Sequence, residues 1–105
     1  MKILKDYKGR DVRLPDERMR HFANRLVRNE MYDLLEETLS YPDFIIQSKS
    51  DAQAVINYKF HRGTKGAGKY LCVVVKYDGE DAYILTAYPS DEIKKGSLIW
   101  EKKKK

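Results

Sequence analysis

"HRGTKGAGKYLCVVVKY", residues 61 to 77, decides the fold. Its first half holds Gly63, four residues and then Gly68-Lys69, close to the phosphate-loop pattern G-x-x-x-x-G-K-[ST]. Tyr70 stands where that pattern requires Ser or Thr. A phosphate loop also needs a helix after it, because the helix N-terminus supplies amides and a positive dipole end to the phosphates. Here Lys69 leads instead into "YLCVVVKY", a nearly continuous apolar run rich in β-branched residues, which reads as a central strand. The stretch is therefore a glycine-rich loop joining two strands, and no nucleotide cofactor is expected. Arg62, Lys65 and Lys69 either grip phosphates without sequence preference or belong to a plain turn.

Working outward, "AVINYKF" (54 to 60) alternates as a strand should, and "AYILTAY" (82 to 88) comes after the hairpin signal Asp78-Gly79. "FIIQS" (44 to 48) is a shorter apolar run, and "SLIW" (97 to 100) can add a last short strand after a polar loop from Pro89 to Gly96. Upstream the period changes. Met19, Phe22, Ala23, Leu26 and Val27 form one helical stripe, and Met31, Leu34, Leu35, Thr38 and Leu39 form another in a new phase. Pro15-Asp16 marks the first helix start, with Asp16 placed to cap it, and Pro42 stops the second by biasing Tyr41 out of the helical region. The expected architecture is α+β: two N-terminal helices, then an antiparallel sheet of four to five strands, with the helices on one face. One domain over residues 1 to 101 is expected, followed by a solvated basic tail at 102 to 105.

The net charge of +5 is unevenly placed. Residues 1 to 30 hold nine Lys or Arg against five acids, residues 31 to 60 hold two against five, and Lys102 to Lys105 supply four more cations. The N-terminal arginines Arg10, Arg13, Arg18, Arg20, Arg25 and Arg28 are thus a better pointer to a polyanionic partner than bulk charge is. Cys72, the sole cysteine, lies inside the central strand and reads as a buried free thiol. Without an intramolecular disulfide, a signal peptide or a long apolar run, a cytoplasmic protein is expected, with no membrane contact. Two histidines with no clustered carboxylates argue against a zinc site, and no cofactor is expected.

Four residues carry candidate chemistry. His21 and Arg25, four apart on the polar face of the first helix, set an imidazole beside a guanidinium, a pairing suited to proton transfer and to holding a charged phosphoryl group. Against this stands the plain reading of a solvated helix face. Thr86 and Tyr88, two apart on the last long strand, share a direction, and Thr86 is an oddity in an otherwise apolar run. Their hydroxyls either bind phosphate or merely suit a strand and a core edge. Ser48, Tyr58 and the strand lysine Lys76 carry weaker versions of the same ambiguity, and Arg28 lies beyond Arg25 on the polar helix face.

The ordered set "ERMRHFANR", "ETLSYPDFIIQS", "INYKF", "YLCVVVKY", "ILTAY" and "KKGSLIW" resembles the small bacterial and phage proteins grouped with the barnase, EndoU, colicin and RelE-type nucleases. The resemblance covers roughly residues 14 to 101. Met19 stands where the group has an aromatic, and Leu26-Val27-Arg28-Asn29-Glu30 stands where it has His-Pro-Glu. The resemblance implies metal-independent RNA cleavage on a helix-plus-antiparallel-sheet fold, often by a toxin or effector countered by an antitoxin or immunity protein. It also implies His21 as the helix histidine, Arg25 as its basic partner, Thr86 and Tyr88 as strand hydroxyls, and Ser48 and Tyr58 at the cleft border. The alternative is a non-catalytic module that binds RNA or a protein through the Arg-rich helix.

Overall fold

The computed structural model describes residues 2–22, 31–61 and 69–102, with Met19, His21, Phe22, Met31 and Lys69 described in backbone only. The chain opens on β1 (Lys2–Lys5), turns, and returns as β2 (Asp11–Leu14). Helices α1 (Asp16–Phe22) and α2 (Met31–Ser40) come next, then β3 (Phe44–Gln47), β4 (Ala54–His61), β5 (Lys69–Asp78), β6 (Asp81–Ser90) and β7 (Leu98–Glu101). These strands form one sheet in the order β1-β2-β6-β5-β4-β3-β7. Neighbours are antiparallel, except that β2 runs parallel to β6 through the pair Arg13↔Tyr83.

This overturns the expected architecture of two N-terminal helices followed by four to five antiparallel strands. The sheet has seven strands, is mixed, and begins before the helices. The cause is local. β1 and β2 are four residues each and bury only Leu4, Val12 and Leu14 among Lys, Asp and Arg, so their alternation is too short to register as a strand pattern. Their strand character comes from partners distant in sequence. α1 begins at Asp16, so that Asp16 and Glu17 sit in its first turn, where carboxylates oppose the positive dipole end.

Other expectations hold. α2 stops at Ser40, just before Tyr41-Pro42, and the chain from Lys69 onward is the strand β5, not a helix. β5 and β6 form a hairpin in which Asp78 pairs with Asp81 and Gly79 takes φ +62°. A positive φ at the first of two loop residues is the mark of a type II′ turn, whose twist matches that of the strands.

The two faces of the sheet differ. On one, Leu35 and Leu39 of α2 pack with Leu4, Val12, Leu14, Leu71, Val73, Val75, Ala82, Ile84 and Ala87 into the larger core. On the other, Ile46, Ile56, Tyr58 and Cys72 form a second cluster, flanked by Phe44, Tyr70, Val74 and Tyr88. We call this second side the open face, since α2 covers the first.

Asp6, 2 % exposed, ties the β1–β2 turn to the sheet. Its carboxylate accepts from the amides of Lys8 and Arg10 (both 2.9 Å), from Arg10 Nε (2.8 Å) and from the Tyr77 hydroxyl (2.8 Å). Burial alone would raise its pKa, but these donors and the Arg10 charge outweigh burial and hold it below the usual carboxylate value. A carboxyl depressed in the folded state adds stability above its unfolded pKa of about 3.9 and loses it as pH falls through the folded value. Asp6→Asn is expected to cost about 3 kcal/mol at pH 7 in urea unfolding, as removal of one partner from a buried charged network does. The gap to wild type should narrow as the pH is taken to 3.

Candidate active site on the open face of the sheet

The face that β6 presents changes along its length. Val74 pairs with Thr86 but Val75 pairs with Ile84, so Leu85 is an extra residue in β6, a β-bulge. Before it, Ala82 and Ile84 point into the α2-covered core; after it, Ala87 does. Thr86 and Tyr88 are thereby turned to the open face, beside Val74 and Cys72. The sequence oddity of a threonine in an apolar strand has this origin: the bulge puts it where no core needs filling.

Tyr88 belongs to a row that crosses four strands, Phe44↔Tyr58↔Cys72↔Tyr88. Phe44 stacks on Tyr58 with ring centroids 4.9 Å apart, and Tyr70 meets both edge-on. Phe60 meets Tyr70 edge-on in turn and is 39 % exposed. Such edge-to-face packing fixes the rings as a rigid platform. Cys72, the small member of the row, leaves room for the tyrosines on either side.

The segment between β6 and β7 crosses this platform. The Lys94 amide donates to the Tyr58 hydroxyl (2.9 Å), and Lys94 Nζ lies 5.6 Å from the Tyr88 ring centroid. Gln47 N donates to Ser97 O (2.8 Å), and at Gly96 an added Cβ would come within 2.4 Å of Gln47 O. Only glycine lets the segment lie this close to β3. Burial raises the Tyr58 pKa, partly offset by the Lys94 amide, so the fully buried phenol keeps its proton at neutral pH. The Tyr88 hydroxyl is buried and has no hydrogen-bond partner among the described residues.

The structure brings Thr86, Tyr88 and Tyr58 to one face. Ser48 lies two residues beyond Ile46, which is itself three strand spacings from Thr86, so the two are about 16 Å apart, and the Ser48 hydroxyl meets Ser50 Oγ at 3.2 Å. His21 is in α1, which packs on β6. Arg25, Arg28, Arg62 and Lys65 lie outside the described residues, as do the side chains of His21 and Lys69. The strand lysine Lys76 pairs with Asp51 at 3.1 Å. The second histidine, His61, belongs to the α2-covered face: its Nε2 is 3.3 Å from Thr38 Oγ1, which itself donates to Leu34 O. Thr38 must then accept, so His61 Nε2 carries the proton. Burial lowers the His61 pKa, and the ring is a neutral tie between sheet and helix. Sequence reading missed Lys94 and Gly96, for which the signal was the glycine of "KKGSLIW", and passed over Phe44 and Tyr70 as ordinary strand residues.

A family model described as phage-Barnase-EndoU-ColicinE5/D-RelE like nuclease2 matches residues 1–103. The chain belongs to this family. Its general function is that of a nuclease, and the match extends the resemblance seen in residues 14 to 101 back through β1 and β2. No curated protein and no solved structure matches the chain. Among the described residues of this nuclease-family chain, no three His, Cys, Asp or Glu side chains are placed to hold a metal ion, and no helix is long and apolar enough to cross a membrane.

Cys72 sits under the candidate site yet is 1 % exposed, and burial pushes its thiol up to about 12. Thiolate is the reactive form. Cys72 is expected to resist a thiol-specific disulfide reagent at pH 8 in the native protein and to react within the mixing time in about 6 M guanidinium, where the chain is unfolded, as followed by absorbance.

Proposed function

We propose that this protein is a ribonuclease that cleaves RNA on the open face, without a metal ion, by attack of a 2′-hydroxyl on the adjacent phosphorus. The observation that carries the reading is the bulge-directed placement of Thr86 and Tyr88 beside Tyr58 on a rigid aromatic floor, in a chain of a nuclease family. Aromatic faces stack unpaired bases without sequence preference, and Tyr70 and Phe60 extend that floor to the sheet end. The hydroxyls of Thr86 and Tyr88 are donors for phosphate oxygens as negative charge grows there, and the fully buried Tyr58 supports them from beneath.

In the reaction, the 2′-oxygen forms a bond to phosphorus while the bond to the 5′-oxygen breaks. The proton leaving the 2′-hydroxyl passes to a base, and the departing 5′-oxygen takes a proton from an acid, leaving a 2′,3′-cyclic phosphate and a 5′-hydroxyl. We assign the proton transfer to His21, on the helix that packs against β6, and stabilisation of the phosphorane to Arg25. Both assignments rest on the residue types and their helical spacing.

Purified protein is expected to cleave single-stranded RNA in excess EDTA and to leave cyclic phosphate ends, read by mapped product analysis. A 2′-deoxy substitution at the cleaved nucleotide should abolish cutting there. His21→Ala should lower the single-turnover rate by about 10²-fold or more, the usual contribution of a positioned acid or base, and Tyr88→Phe by about tenfold. RNA left intact yet retarded on a gel would instead make the protein a binding module.

A further inference from the structure

The segment from Ser90 to Ser97 is pinned at both ends and at its middle. Ser90 Oγ donates to Glu92 O (2.9 Å) and accepts from Glu92 N (3.1 Å); the Lys94 amide is held by Tyr58, and Ser97 O by Gln47 N. Gly96 seats the segment against β3 at a distance no side chain tolerates. A strap so held fixes where Lys94 Cα sits. The Lys94 side chain is exposed, has no acidic partner among the described residues, and hangs its ammonium over the Tyr88 ring. Lys5, Arg10, Arg13, Lys76 and Lys102 are paired with carboxylates, and Lys2 and Lys8 lie over the rings of Tyr32 and Tyr7; what sets Lys94 apart is that the ring beneath it carries a buried hydroxyl without a partner among the described residues.

An unpaired cation thus stands over a tyrosine whose buried hydroxyl also lacks a partner among the described residues. A buried, unsatisfied hydroxyl is unfavourable, and a charge over a ring adds little attraction at an exposed site. Both groups would be satisfied by one kind of ligand, an oxyanion that accepts from each. We infer that Lys94 and the Tyr88 hydroxyl form a phosphate-binding subsite, and that Gly96, through the strap, is its positioning residue. The inference rests on the open face being the substrate face, and there Lys94 supplies the cation that holds the RNA phosphodiester.

Inorganic phosphate is the probe, followed by NMR of the full chain. In wild type, titration should shift the Lys94 amide and the Tyr58 and Tyr88 ring resonances together. Lys94→Gln should raise the half-saturating concentration about tenfold with an unchanged melting temperature, and Lys94→Arg should restore it. Gly96→Ala, with Lys94 intact, should weaken phosphate binding to a similar degree. For single-stranded RNA, Lys94→Gln should reduce the slope of log affinity against log salt by about 0.7, the loss of one phosphate contact. Phosphate shifts absent from these residues in wild type, or identical titrations for wild type and Lys94→Gln, would overturn the subsite. These readouts are independent of cleavage: a protein that binds phosphate here yet leaves RNA intact refutes the ribonuclease reading and keeps the anion site.

Discussion

Everything on the open face depends on one extra residue in β6. A regular strand would carry Ala82, Ile84, Thr86 and Tyr88 on a single side, since side chains alternate with a period of two. Two apolar groups and two hydroxyl-bearing groups would then compete for one environment. The extra residue at Leu85 divides them, sending the first pair under α2 and the second out. The bulge is therefore a sorting device: it lets a single strand build both the dry core and the polar side of the site.

That division also explains what could be read from the sequence. β3 through β7 carry apolar runs or alternation long enough to register, and the II′ turn is announced by Gly79. Thr86 was visible as an anomaly because it is a polar residue inside the apolar run "YILTAY". β1 and β2 were not visible: their strand state is imposed by pairing with each other and with β6, and by the Asp6 network, none of which leaves a local pattern. The same holds for Lys94, whose significance lies in what its amide and ammonium touch across the sheet.

The two faces are built on different physics. Under α2 the contacts are mostly aliphatic; Thr38 and His61 are bonded to backbone or to each other, and Asn57 donates to Val73 O while its Oδ1 has no hydrogen-bond partner among the described residues. The open face is aromatic, its hydroxyls are only partly partnered among the described residues, and it keeps a cation beside them. Leaving polar groups unsatisfied is unfavourable for stability.

The parallel β2–β6 seam has a consequence for how the chain assembles. The ion pair that flanks it, Arg13 with Asp81, joins residues 68 apart, and the β3–β7 pair closes the far edge with the last strand. The local β4–β5 and β5–β6 hairpins can form early, but both outer edges wait for almost the whole polypeptide. Loop-closure entropy delays such distant pairings, so the edges are expected to be the last part of the sheet to zip. Until then the outer edges of β3 and β6 are bare, which makes this the interval in which a growing chain is most exposed to mispairing with its neighbours.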